Sequence, residues 1–243
     1  PGTLNSFSGV YFTDNQNGWA VGFDYYTTGG TGTIYYTTNG GQNWVPQSSG
    51  TIIGLADVYF TDSQNGWAVG GGGTILHTTN GGQDWTASSS AATTYTLNDI
   101  HFTDNQNGWV ASSGQFTGTD GVILRTTNSG QNWSAQPLTG AGTLLSVYFN
   151  DSQHGWAVGG NPEYTIARTV NGGQNWTVQS YGTGGYLSDV HFTDSQNGWA
   201  VGTYGAIFHT TNGGQNWVAQ SSGTTNDLLG IQFVDSQNGW AVG

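Results

Sequence analysis

The tryptophans recur at a nearly fixed period, and that period bounds the fold more tightly than anything else in the chain. Of 11 tryptophans, Trp19, Trp67, Trp109, Trp156, Trp199 and Trp240 sit in a phrase reading NGWAVG or close to it. Trp44, Trp85, Trp133, Trp176 and Trp217 close a second phrase, TTNGGQNW or close to it, and the two phrases alternate without exception. Successive NGW tryptophans lie 48, 42, 47, 43 and 41 residues apart. A unit of this length cannot bury its own apolar face and must stack on its neighbour, as in a propeller, a solenoid or an array. Leucine-rich and helical solenoids need periodic leucines or helix formers, and this sequence has neither.

One unit, residues 56–89, reads as four short strands. The first runs from Asp57 to Thr61 and ends in the turn Asp62-Ser-Gln-Asn-Gly66, where Asn65-Gly66 is expected to supply the positive φ of a hairpin. The second runs from Trp67 to Gly70 and the third from Thr74 to Thr78; after the Asn80-Gly-Gly82 turn, Trp85 starts the fourth. Four antiparallel strands per period make the chain an all-β protein, a β-propeller of four-stranded antiparallel blades. Five complete repeats (about 7–50, 55–90, 97–138, 144–181 and 187–224) and a partial sixth (229–243) fill one domain, 1–243. The sixth repeat lacks its outer two strands, so a chain continuation or a partner is expected to complete it.

Composition narrows the function. Lysine is absent and Arg125 and Arg168 are the only strong cations, against 14 acidic residues and a formal charge of −12. Nucleic-acid binding requires basic side chains to replace phosphate counterions, which this chain lacks. The same deficit argues against an anionic membrane surface, and no apolar run is long enough to span a bilayer. There is no cysteine and therefore no disulfide framework. The chain begins at Pro1 and has no methionine, which suggests a processed chain or a segment of a longer one.

Thr78-Thr-Asn-Gly-Gly-Gln-Asp-Trp85 resembles the Asp-box, or BNR, repeat, of general form Ser/Thr-x-Asp/Asn-x-Gly-x-x-Trp. Together with GWAVG and GTILHTTNGG, it resembles the photosystem II stability and assembly factor family of BNR-like propellers. Similar repeats occur in secreted proteins of gliding bacteria, which implies an extracellular or cell-surface setting. The resemblance implies that the box is a structural turn between third and fourth strands, not an active site. Its residues here are Thr37, Asn39 and Trp44; Thr78, Asn80 and Trp85; Thr126, Asn128 and Trp133; Thr169, Asn171 and Trp176; Thr210, Asn212 and Trp217. The hydroxyl and amide are expected to bond turn backbone locally, and each box tryptophan to bury its ring between blades with its N–H on a partner.

Candidate chemistry is sparse. Sialidases share the Asp-box but need an arginine cluster, whereas Arg125 and Arg168 occupy the repeat position of Tyr36, His77 and His209. No nucleophile–base constellation stands out, so the chain reads as a non-catalytic protein with no cofactor and no metal. Histidines, too, fall at repeat positions, and the six turn aspartates (Asp14, Asp62, Asp104, Asp151, Asp194, Asp235) are explained by local bonds to turn backbone. The family's assembly factors are similar to a propeller with a basic patch for an acidic partner, and no such patch exists here.

In a four-strand meander the two repeated turns share one face, and the variable loops occupy the other, where repeat insertions gather. First strands begin on that variable face, so a ligand site is expected there. Asp57, Asp99 and Asp189, with Gly9, Ser146 and Gly230, form one row, and Tyr59, His101, Tyr148 and His191, with Tyr11 and Gln232, a second. Tyr25, Tyr26 and Tyr164 (with Tyr95, Phe116 and Tyr204) come from the loops. Carboxylates beside aromatic faces suit a polar ligand, glycan or protein, and equally suit side chains packed between blades. The function expected is a secreted or cell-surface binding or adhesion module. The alternative is a structural subunit of a filament, stalk or surface array that binds copies of itself; a photosystem-type assembly factor or a glycosidase ranks below both.

Overall fold

The structure, a computed structural model, describes residues 5–25, 30–88, 94–114, 120–160 and 163–243. The first blade comprises β1 (Ser6–Phe12), β2 (Gly18–Asp24), β3 (Thr31–Thr37) and β4 (Val45–Gln47). The second comprises β5 (Leu55–Phe60), β6 (Gly66–Gly70), β7 (Ile75–Thr78) and β8 (Thr86–Ala87). In the third are β9 (Leu97–Phe102), β10 (Gly108–Ser112), β11 (Gly121–Thr126) and β12 (Ser134–Leu138). The fourth has β13 (Thr143–Phe149), β14 (Gly155–Gly160), β15 (Glu163–Thr169) and β16 (Thr177–Thr183). In the fifth are β17 (Leu187–Phe192), β18 (Gly198–Gly202), β19 (Ala206–Thr210) and β20 (Val218–Ser221). The pair β21 (Gly230–Phe233) and β22 (Gly239–Val242) forms a two-stranded sheet, and every other sheet is a four-stranded meander in chain order. This is the expected all-β propeller fold of antiparallel blades. The chain divides into two compact units, Pro1–Val110 with Leu124–Ala135, and Ala111–Ile123 with Gln136–Gly243.

The first strands β5, β9 and β17 alternate over their last four residues. In β5, Leu55, Val58 and Phe60 are buried while Asp57 and Tyr59 keep some surface, the pattern of a strand with one packed face. The second strands do not alternate: β6 is buried at every position because neighbouring blades cover both its faces. In the first unit the Trp19 ring stacks on Phe60 of the next blade at 3.6 Å, and Trp67 on Phe102 at 3.8 Å. In the second unit Trp156 stacks on Phe192 at 3.6 Å, and Trp199 on Phe233 at 3.8 Å.

The two repeated turns lie together at one end of each blade, as expected. The N–H of Gly40 donates to the Gln16 carbonyl at 2.9 Å, and Gly81 to Gln64 at 3.0 Å. In the other unit Gly172 donates to Gln153 at 2.8 Å and Gly213 to Gln196 at 2.9 Å. Each turn is closed from within. Asp62 Oδ1 accepts the N–H groups of Gln64 and Asn65 at 2.7 and 2.8 Å. In the box, buried Thr78 donates its hydroxyl to Asn80 Oδ1 at 2.9 Å and accepts the N–H of Gly82 at 2.9 Å. Asn80 Oδ1 in turn accepts the N–H of Asp84 at 3.0 Å.

Two local expectations are corrected. Gly66 does not have a positive φ; the left-handed residues are Gly81 and Gly82 of the box turn, at φ 68° and 84°. Gly66 is required for close approach instead: it pairs with Phe60 across the hairpin, and a Cβ there would stand 2.4 Å from the phenyl ring. The second correction concerns the tryptophans. The ring of Trp85 is buried and meets Phe60 edge-on at 5.9 Å, but its N–H, like those of Trp133, Trp176 and Trp217, has no partner. It is the second-strand tryptophans that donate: Trp19 to the Gly81 carbonyl at 3.2 Å, Trp67 to Ser129 at 3.3 Å, Trp156 to Gly213 at 3.2 Å. The second-strand indole lies against the neighbouring turn, whereas the box indole faces its own blade's apolar core.

Candidate binding site

A β-bulge sets the geometry of the first-strand rows. Between Leu55 and Asp57, and again between Leu187 and Asp189, the pairing register shifts, and such a bulge re-aims the side chains that follow it. In the first unit the row Gly9, Asp57, Asp99 is brought together across three blades. A Cβ on Gly9 would stand 2.8 Å from Asp57 Cα. Asp57 Oδ2 accepts the N–H of Ile100 at 3.2 Å, and the Asp57 and Asp99 carboxyls are hydrogen-bonded to each other. Desolvation pushes Asp57 well above the usual carboxylate range, and the Asp99 charge and hydrogen bond push it further. In the second row Tyr11 lies 4.7 Å from Tyr59, and Tyr59 lies 5.1 Å from His101. Burial raises the Tyr11 hydroxyl, partly offset by its hydrogen bond with Tyr59.

The second unit repeats the plan with different groups. Ser146 donates its hydroxyl to Asp189 Oδ1 at 2.9 Å, and Asp189 Oδ2 accepts the N–H of Ile231 at 2.8 Å. Tyr148 lies 5.2 Å from His191 and donates its hydroxyl to the Phe192 carbonyl at 2.9 Å. Burial pushes the Tyr148 hydroxyl up and the His191 imidazole down. His191 Nε2 meets the Gln232 side-chain amide at 3.0 Å, and its buried Nδ1 has no partner. The rows thus form, but their carboxylates also tie one first strand to the next. What they offer a ligand is a set of hydrogen-bonding groups and aromatic rings. Among the described residues no three His, Asp or Glu side chains converge as metal ligands.

The loop aromatics divide. Tyr25 is exposed, its ring edge-on to Phe23 at 4.8 Å. Tyr164 packs at 5.8 Å from Phe208 and donates its hydroxyl to the Thr203 carbonyl at 3.2 Å, so it is engaged by the next blade. Tyr95 supplies its carbonyl to the N–H of Gly73 at 2.7 Å. Tyr26 and Phe116 lie outside the described residues. The third-strand position behaves as scaffold: Arg168 pairs with Trp156 across the hairpin just as His77 pairs with Trp67. One region escaped the sequence reading. A notch of about 570 Å³ is lined by Gly205, Gln220, Ser222, Thr224 and Thr225 in the fifth blade. Its signal was legible: Thr203-Tyr204-Gly205 occupies the turn that Gly71-Gly72-Gly73 makes in the second blade.

Comparison with known proteins agrees with the repeat. The family model described as photosynthesis system II assembly factor YCF48 matches residues 46–141 and 126–218, and the BNR/Asp-box repeat matches 35–46. No curated protein sequence matches the chain. A solved structure titled "YCF48 bound to D1 peptide" is 20% identical with TM-score 0.52, covering 98% of this chain and 90% of that one. YCF48 from Cyanidioschyzon merolae is 16% identical with TM-score 0.57, covering 98% and 92%. The Niastella koreensis GH74 enzyme is 15% identical with TM-score 0.72, covering 89% of this chain but 38% of that one. At these identities the likeness is one of fold.

Proposed function

Because the chain belongs to the family of the photosynthesis system II assembly factor YCF48, we propose that it is a non-catalytic module that binds a polypeptide on its variable-loop face. The observation that carries this reading is the division of labour among residues. Box threonines, turn aspartates and the tryptophans of both sets other than the exposed Trp240 are engaged in scaffold bonds or buried packing that recur from blade to blade. The first-strand rows differ from blade to blade while keeping the same geometry, which is how a common frame presents a specific surface. A solved YCF48 is titled as bound to a peptide, which supports a polypeptide over other ligands. With a formal charge of −12, the surface favours a basic segment, steered by long-range attraction.

Glycoside hydrolysis by an aspartate pair is disfavoured on geometry. Glycosidase carboxyls stand roughly 5–9 Å apart to admit sugar or water, whereas Asp57 and Asp99 are hydrogen-bonded to each other. The reading extends to an extracellular or cell-surface setting, supported by the likeness of the repeats to those of secreted proteins and tested by fractionating native cells. Binding itself is tested by selecting peptides from a displayed library and measuring affinity for Tyr25→Ala, His101→Ala and, on the opposite face, Gln42→Ala. The expected result is weakened binding in the first two, recovery of affinity at low salt, and no change in the third. Peptides that bind all three variants alike, or lose affinity only with Gln42→Ala, would overturn the reading.

A further inference from the structure

A cleft of about 330 Å³ lies between the first and second blades, which belong to one compact unit, and is lined by Ser49, Thr51, Thr74, Leu76, Trp85 and Ser88. Four of these residues carry hydroxyls, and Leu76 and Trp85 supply large apolar surfaces. The walls are held by bonds of the fold itself. Ser49 donates its hydroxyl to the Gly32 carbonyl at 2.5 Å, and the N–H of Ser88 donates to the Ile75 carbonyl at 2.8 Å. At the adjoining turn the N–H of Gly73 donates to the Tyr95 carbonyl at 2.7 Å.

The fourth and fifth blades show what such a cleft accepts. Gln47 pairs with Ile34 as Gln179 pairs with Ile166, so Ser49 and Tyr181, each two residues further on, hold the same place. On the facing blade Leu76 pairs with Ala87 as Phe208 pairs with Ala219, so the opposite walls correspond too. The Tyr181 ring lies 5.6 Å from that of Phe208 and packs against the buried cluster that includes Trp217. Its hydroxyl donates to Gln179 Oε1 at 3.0 Å and is hydrogen-bonded to the Trp217 backbone. In the third blade the same place holds Leu138, which is buried. The first blade has only a serine there, its hydroxyl turned back to its own blade. Gln47 Oε1, the counterpart of the acceptor that Tyr181 uses, is buried without a partner. Leu76 and Trp85 thus border a gap that a side chain of this same protein fills in other blades.

We propose that this cleft receives a tyrosine side chain of a partner polypeptide, seated against Leu76 and Trp85 as Tyr181 is seated against Phe208 and Trp217, with its hydroxyl toward Gln47 Oε1. This anchor rests on the polypeptide reading above and adds the residue type that the partner must carry. The segments that border the cleft, Ser49 to Thr51 and Gly71 to Gly73, are connections of the variable-loop face. A tyrosine buries a large ring with few torsions to order, and its hydroxyl needs an acceptor once it leaves water. Walls that are already fixed lessen the ordering cost of binding.

The test fills the cleft from within the chain. Ser49→Tyr copies the fourth blade, Ser49→Leu copies the third, and Ser49→Ala removes the same hydroxyl without filling anything. Each variant and the wild type are titrated with the capped pentapeptide Lys-Gly-Tyr-Gly-Lys and with its phenylalanine and alanine versions, and backbone amides are followed by NMR. Expected are saturable shifts at Thr51, Leu76 and Ser88 with the tyrosine peptide, weaker binding of the phenylalanine peptide, and binding about tenfold or more weaker for the alanine peptide, as when an aromatic anchor is lost. Both filling variants should lose the tyrosine peptide, and Ser49→Ala should keep it. No saturable shift in the wild type overturns the proposal, as do equal affinities for the tyrosine and alanine peptides, or binding retained in both filling variants. The peptide series needs no variant, so it decides the matter even if filling disturbs the fold. Library-selected peptides that depend on Tyr25 and His101 but bind Ser49→Tyr as tightly as the wild type would overturn this anchor and leave the polypeptide reading standing. A tyrosine peptide lost on filling but indifferent to Tyr25→Ala and His101→Ala would support the cleft and overturn the first-strand site.

Discussion

Trp19 reaches out of its own blade twice: its ring lies 3.6 Å from that of Phe60, and its N–H donates to the carbonyl of Gly81 at 3.2 Å. One side chain thus locks both the apolar core and the turn face of the neighbouring blade. The box tryptophan Trp85, equally large and nearly as buried, makes an edge contact with the same Phe60 but no hydrogen bond. The two tryptophan sets should therefore respond differently to substitution.

Trp67→Phe removes the bond to Ser129 and leaves a part-buried carbonyl without its donor, so a loss of about 2–4 kcal/mol is expected. Trp85→Phe removes only ring area and an unpartnered N–H, and should cost about 1–2 kcal/mol. Both alanine variants should cost roughly 3–5 kcal/mol. Chemical denaturation compares the four; equal losses for the two phenylalanine variants would contradict the difference in bonding.

Thr78→Val keeps the shape of a buried side chain but deprives the N–H of Gly82 of its acceptor. The expected destabilisation is about 1–3 kcal/mol, with Thr78→Ser largely retaining stability. If valine is tolerated as well as serine, the box hydroxyl is not what closes the turn.

The turn aspartates should govern the acid limit. In Asp62, burial pushes the carboxyl up but the bonds from Asn65, Gln64 and Asn105 outweigh it and hold it below the usual range. A carboxyl depressed on folding contributes stability above its unfolded value, near pH 4, that is lost as pH falls through the folded value. Asp62→Ala should therefore lower Tm at pH 7, by about 1 kcal/mol in stability, and leave Tm nearly unchanged relative to wild type at about pH 2. A deficit that persists in acid would indicate damage beyond the lost carboxylate.

Asp57 acts in the opposite sense. Its folded value is raised by burial and by Asp99, so its contribution is present below about pH 4 and lost as pH rises through the folded value. His77, His191 and His209, depressed by burial, oppose this by losing stability as pH falls below about 6.5. Asp57→Asn, which can still accept from Ile100, should raise Tm at about pH 8 and steepen the decline between about pH 8 and pH 5, because the histidine contribution is then unopposed in that range. Thermal melts at several pH values decide it; a Tm lowered equally at pH 5 and pH 8 would mean that the ionised pair is not a liability.

The period of the tryptophans, the four strands per unit and the common face of both turns were legible in the sequence because the turns that punctuate each unit are closed by bonds spanning four residues or fewer. Asp62 with Asn65 and Thr78 with Gly82 are decided by neighbours in the chain, and any copy of the phrase folds the same way. What a residue meets across its own hairpin or from the next blade was not legible. That Gly66 yields space to Phe60 instead of turning left, that Trp19 and not Trp85 finds a carbonyl, and that Asp57 shares a hydrogen bond with Asp99 depend on residues roughly 6 to 60 positions away. The candidate site divides along the same line. Alternation along the first strands marked the rows, but whether their carboxylates face a ligand or a neighbouring strand was set by the bulges and by blade stacking. Tyr204 shows the limit most sharply, since TYG and GGG make one and the same turn and only the backbone angles reveal that one of them is strained. Local hydrogen bonds can be written into a repeat; burial, and the strain and pairing that follow from it, exist only once blades pack together.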